Sequence, residues 1–130
     1  MTRAALLQVQ AERMARPFRW GVHDCCLWAA DCALALSGVD HAATYRGTYS
    51  SAAEALRLVQ QLGGLDAIGA MAGPECPPMC ACVGDVGLVT DEGRELLGVC
   101  MGTVWLVPAS HGLGALPLDA AVKAWRVARD

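Results

Sequence analysis

The sequence predicts an α+β fold in which helices pack on a small antiparallel β-sheet, and three observations predict it. Residues 1–72 carry apolar side chains at helical spacing between capping and terminating residues. Residues 73–82 hold three prolines in ten, which reads as a loop, and from residue 84 onward the pattern becomes short apolar runs broken by turn residues. Helices first and strands second is the order of an α+β layer architecture. At 130 residues the chain has room for one domain, 1–130, with a helical part at 1–72 and a sheet part at 84–128.

Taken in order, residues 2–16 place Leu7, Ala11 and Met14 at helical spacing until Pro17 stops the pattern, so an amphipathic helix is expected to cover the core through that stripe. Asp24 then precedes a helix apolar almost all round, with Cys25, Trp28, Ala29, Cys32 and Leu36 on one stripe and Gly38 as terminator, which makes it central. Ser50 or Ser51 caps a third helix with Glu54 near the capping-box place, and Gly63-Gly64 ends it. A short fourth helix is expected over 65–72. Strands follow at 85–90, 96–101, 103–107 and 114–118, with turns at Asp91-Glu92-Gly93 and Ser110-His111-Gly112. Residues 119–124 read as a helical turn and Trp125-Arg126-Val127 as a last strand.

Composition removes several function classes. A net charge of −3 with no basic cluster argues against an electrostatic nucleic-acid binder, because such a protein needs cations to displace phosphate counterions. The longest apolar run, 25–39, is broken by Asp31, so no membrane span is expected. The first sixteen residues alternate charged and apolar side chains without a secretory h-region, which leads us to expect residence in a cytosol. There seven cysteines, an odd number, point to buried thiols, a nucleophile or a metal site more than to a disulfide framework.

The richest segment is Phe18-Arg19-Trp20-Gly21-Val22-His23-Asp24-Cys25, a Gly-containing loop running straight into a helix whose first residue is a cysteine. A thiol there feels the positive end of the helix dipole, which favours thiolate, while the neighbouring Asp24 carboxylate opposes it. The competing reading is a thiol packed as a small hydrophobe.

Trp20-Gly21-x-x-Asp24-Cys25, then Gly84-Asp85-Val86 and Gly98-Val99-Cys100-Met101-Gly102, resembles the NlpC/P60 superfamily of papain-like cysteine peptidases. With Tyr45-Arg46-Gly47-Thr48-Tyr49 it resembles more narrowly a small phage and prophage family of that superfamily, encoded among tail genes. The resemblance implies Cys25 as nucleophile; Asp24, just before the helix, is expected to cap it, and Trp20 and Gly21, beside the candidate nucleophile, are expected as binding residues. It also implies a catalytic His two residues before Gly98, where this sequence has Leu96, and a further polar residue where it has Pro108. Neither can accept the thiol proton. His23, two residues from Cys25, is the candidate substitute base, although hydrogen bonding within the loop is its competing role. His41 and His111 are expected in solvated loops.

Cys76, Cys80, Cys82 and Cys100 form a rival metal site of four thiols, with first-pair spacing unlike the usual knuckle; otherwise no metal and no cofactor is expected. Alternation along the second strand puts Leu96, Gly98 and Cys100 on one face, the face that carries the base in the family this sequence resembles, so the resemblance implies that Cys100 lies near Cys25. The resulting expectation is a phage tail-tip or tail-assembly protein on a catalytically degraded fold, a pseudoenzyme of the virion. Its partners would be other tail or baseplate proteins, with synthesis in the bacterial cytoplasm followed by incorporation into the virion tail. The alternative is an active peptidase or amidase that cleaves host peptidoglycan peptides during genome delivery.

Overall fold

The computed structural model describes residues 2–129 and contains four α-helices and a six-stranded antiparallel sheet, an α+β fold as the sequence predicts. The helices are α1 (Arg3–Arg13), α2 (Cys25–Ser37), α3 (Ala52–Gln61) and α4 (Leu65–Ala70). The strands are β1 (Glu75–Cys76), β2 (Val86–Asp91), β3 (Arg94–Cys100), β4 (Val104–Ala109), β5 (Gly112–Pro117) and β6 (Ala121–Trp125), in the sheet order β1-β6-β2-β3-β4-β5. No described helix is long and apolar enough to cross a membrane.

Helix α2 forms where its residues demand it. The Asp24 carboxylate accepts the Leu27 N–H at 3.0 Å, satisfying one orphan donor of the first turn, and Gly38 ends the helix in the left-handed region at φ 78°. The buried face of α2, including Trp28, Cys32 and Leu36, lies on the sheet over Val86, Leu97 and Val99. Trp28 donates its indole N–H to the Leu106 carbonyl at 2.9 Å, so the ring is buried without an orphaned donor.

The face of α1 differs from the expected one. Leu7, Ala11 and Met14 are exposed, Met14 at 60 %, whereas Leu6 is fully buried with Ala5 and Val9 beside it. The reason is tertiary. Asp31 is buried in the middle of α2, and Arg13, seven residues and about two turns from Leu6, reaches it with its guanidinium. Arg46 meets the other carboxylate oxygen of Asp31 at 2.7 Å. A buried carboxylate needs these cations, and supplying one from α1 selects the Leu6 side for burial.

The strand pattern is also more elaborate than a meander. Only Leu118–Ala120 is helical, as a 3-10 turn, and residues 121–125, expected to be mostly helical, form β6, which returns to pair with β2 (Val86 opposite Trp125). Within the Pro-rich segment Glu75 and Cys76 extend as an edge strand against Trp125 and Ala124, and Pro78–Cys80 makes a 3-10 turn. Prolines are tolerated there because an edge strand leaves one row of donors unpaired. The β2–β3 hairpin closes at Glu92 and Gly93, both with positive φ, the combination that matches the strands' right-handed twist.

Side chains alternate across the sheet, so each face has its own cluster. The helix side holds Val86, Leu97, Val99 and Leu106; the far side holds Val89, Cys100, Trp105, Val107 and Ala124, next to the two 3-10 turns. Trp105 lies flat over Gly87, where a Cβ would come within 2.6 Å of the ring, and its indole N–H reaches the Leu118 carbonyl. Gly87→Ala therefore overpacks the far face, with an expected loss of about 1–3 kcal/mol of stability in urea denaturation at unchanged m-value.

Candidate functional site

The loop 18–24 is built around one carboxylate. Asp24, 2 % exposed, accepts the Leu27 N–H on one oxygen, and on the other the Gly21 N–H at 2.9 Å and the Tyr49 hydroxyl at 2.6 Å. Burial, together with donation to Asp24, holds the Tyr49 phenol in its protonated form well above its ordinary range. Gly21 adopts φ 80°, and a Cβ there would meet the Tyr49 carbonyl oxygen at 2.0 Å, so the loop and the 45–49 segment touch backbone to backbone. Arg46 in the same segment binds Asp31 and Asp40, anchoring it to α2. The two tyrosine-containing and tryptophan-containing motifs of the sequence are thus halves of one assembly.

This assembly sets Cys25 and Cys26 side by side, half-buried, at the head of α2 and in the lining of a groove of about 260 Å³. The Cys25 thiol is lowered below its ordinary value, first because the Cys26 thiol donates to it; the backbone N–H groups of Leu97 and Cys26 add to this, against burial and the Asp24 charge. Cys26 is driven far upward by the same hydrogen bond and by burial, so Cys25 is the more acidic thiol of the pair. Trp20 also lines the groove, its ring edge-on to Phe18 at 4.7 Å between centroids.

The histidines take other places. His23 is 1 % exposed; its Nε2 lies 3.4 Å from the Gly112 carbonyl at the start of β5, and its Nδ1 has no hydrogen-bond partner, so neither nitrogen meets Cys25. Its neighbours are Arg13, Arg16 and Asp31, on the α1 side of the molecule. The candidate base and the candidate nucleophile of the sequence are therefore not brought together. His41, expected to be solvated, is half-buried and lines the groove, while His111 is exposed and bridges to Pro17. Leu96 contributes to the groove lining and packs with the Val89 cluster, and Pro108 pairs with Leu113.

Cys100 corrects a further expectation. It lies on the far face of the sheet among Trp105 and Val107, not near Cys25, which packs with the cluster on the helix face. Leu97 and Val99 are the β3 residues turned toward α2, while Gly98, next to Cys100 in the other register, leaves space for Trp105 and Val107. Nor is the four-thiol alternative realised. Among the described residues no three Cys, His, Asp or Glu side chains gather as a metal ion requires. Cys80 and Cys82 are exposed, and Cys100 sits 3.9 Å from the Ala81 carbonyl oxygen.

Asp85, the acidic residue of the Gly-Asp pair, is fully buried and ties down the C-terminal segment. It accepts the Cys82 and Val127 N–H groups and pairs with Arg126 and Arg129. Its role is architectural.

A family model described as a domain of unknown function (DUF6950) matches residues 2–127. No curated protein matches the chain. Among solved structures, the crystal structure of the NlpC/p60 domain of the peptidoglycan hydrolase SagA is similar in fold. It has a TM-score of 0.62 and 16 % sequence identity, over 97 % of this chain and 99 % of that one.

Burial lowers the His23 pKa below its ordinary value, so the unfolded state takes up the proton first. The stability this residue contributes is present above about pH 6.5 and is lost as pH falls through and below that value. Denaturation midpoints measured from pH 7.5 to 5 are expected to fall, and to fall less steeply in His23→Leu.

Proposed function

The chain belongs to the DUF6950 family, and from the site above we propose that it is a binding component on an NlpC/p60-like fold that has lost its general base. One observation carries this reading: the Nε2 of His23 lies against the Gly112 carbonyl and its Nδ1 has no hydrogen-bond partner, so this imidazole is not paired with the Cys25 thiol. A cysteine peptidase needs an imidazole to accept the thiol proton and return it to the leaving amine, and a lowered thiol alone supplies only half of that cycle. Leu96 and Pro108 stand where the resemblance calls for polar groups. The setting we propose is a phage tail tip, where the chain, made in the bacterial cytoplasm, joins the virion tail through contacts with neighbouring tail or baseplate proteins. The order of the Trp-Gly-x-x-Asp-Cys, Tyr-Arg-Gly-x-Tyr and Leu-Gly-Val-Cys-x-Gly signatures supports that setting.

A second reading, a peptidase or amidase acting on peptidoglycan peptides, is favoured by the lowered thiol and by His41 in the same groove. The two are separated by incubating the protein with purified peptidoglycan and counting newly released amino groups. We expect wild type to match Cys25→Ala, with no release, and the chain to be found at fixed stoichiometry among the tail proteins of purified virions. Release that both Cys25→Ala and His41→Ala abolish establishes the peptidase instead.

A further inference from the structure

Resting on the reading of a site without a base, we propose that Cys25 is an acceptor for a fatty-acyl group. The group is taken from an acyl thioester and kept as an S-acyl cysteine, with its chain lying along the groove. Two features at the same place lead there.

The first is the chemistry of the groove walls. Its floor is the small-residue side of α2, including Ala29 and Ala33, and its other walls are aliphatic side chains of α3, of the residue that ends it and of α4, such as Val59, Leu62 and Ile68. The apolar side of α3 is spent on this groove; only Ala55 of that helix is buried, and α3 packs extensively against no other element. A peptide with free carboxylates and amines finds few partners here. Asp24 already serves three donors, and Arg94 and Glu95 are exposed at the rim. A hydrocarbon chain needs none, and gains from leaving water.

The second is the position of the nucleophile. Cys25 lines this groove at the first position of α2, where the positive end of the helix dipole favours thiolate and the neighbouring Cys26 thiol lowers it below its ordinary value. The thiolate adds to the carbonyl carbon of the donor thioester, the bond from that carbon to the donor sulfur breaks, and the departing thiolate takes a proton from water. One thioester replaces another, so neither oxidant nor reductant enters. Returning the acyl group to water requires a base to activate the attacking water molecule, and His23, the imidazole nearest Cys25 in sequence, is turned to the Gly112 carbonyl instead. Loss of the base therefore converts a transient acyl intermediate into a retained modification.

The test incubates the full chain with acetyl, decanoyl and palmitoyl thioesters of coenzyme A and of N-acetylcysteamine, followed by intact mass and peptide mapping. We expect one acyl group per chain on Cys25, removable by neutral hydroxylamine. It should be absent in Cys25→Ala, be retained in Cys26→Ala, and form more than about tenfold faster from decanoyl than from acetyl donors. Val59→Asp, placed on the groove wall, should slow decanoyl transfer while leaving alkylation of Cys25 by iodoacetamide unchanged. Equal rates for all chain lengths, or labelling of exposed Cys80 and Cys82 as fast as Cys25, overturns the acyl assignment while the reading of a missing base stands. Rapid acylation followed by catalytic release of free fatty acid overturns both retention and the missing base.

Discussion

The site depends on the Asp24 carboxylate. Burying it at 2 % exposure is expensive unless its oxygens are filled, and three donors from three segments fill them: Gly21 of the loop, Leu27 of α2 and Tyr49 of the 45–49 segment. Each donor constrains its own segment. Gly21 needs positive φ and the absence of a Cβ to approach Tyr49, Leu27 must be the third residue of a helix, and Tyr49 must be delivered by the Arg46 anchor on Asp31. Cys25, next to Asp24, has little freedom to be anywhere but at the mouth of the groove.

Two other buried carboxylates repeat this logic at larger scale. Asp31 gathers Arg13 from α1 and Arg46 from the loop, and so fixes which side of α1 meets the core. Asp85 gathers Arg126, Arg129 and two backbone donors, and so closes the sheet at the end of β6. The helices and sheet are clamped at three points, and α3, which lies outside all three clamps, keeps its apolar side for the groove.

Local signals were legible in the sequence because they act locally. Asp24 and Gly38 bound α2, Ser51 caps α3 at the Glu54 N–H while the Glu54 carboxylate accepts the Ser50 N–H, and Glu92-Gly93 turns the β2–β3 hairpin. The rest was decided across distance. The N-terminal helix carries two apolar stripes, and the choice between them rests on an ion pair eighteen residues away in sequence. Residues 121–125 become a strand because β2, more than thirty residues earlier, lacks a partner on that edge until they arrive. The alternation along β3 was read correctly, but which of its faces meets α2 depends on Trp105 needing the space above Gly87 and Gly98. For the site, the nucleophile and its cap could be read from one segment, whereas the turning of His23 toward Gly112 and the entry of His41 into the groove depend on loops whose paths no spacing encodes.

The account stands or falls on Asp24, and Asp24→Asn tests it with almost no change in shape. An amide has one acceptor oxygen, so its NH₂ must face donors on one side, either Leu27 or the Gly21 and Tyr49 pair. Urea denaturation at pH 7 is expected to show a loss of about 2–4 kcal/mol, with faster hydrogen exchange at the Gly21 and Leu27 amides. A variant within about 0.5 kcal/mol of wild type, with both amides still protected, contradicts the account.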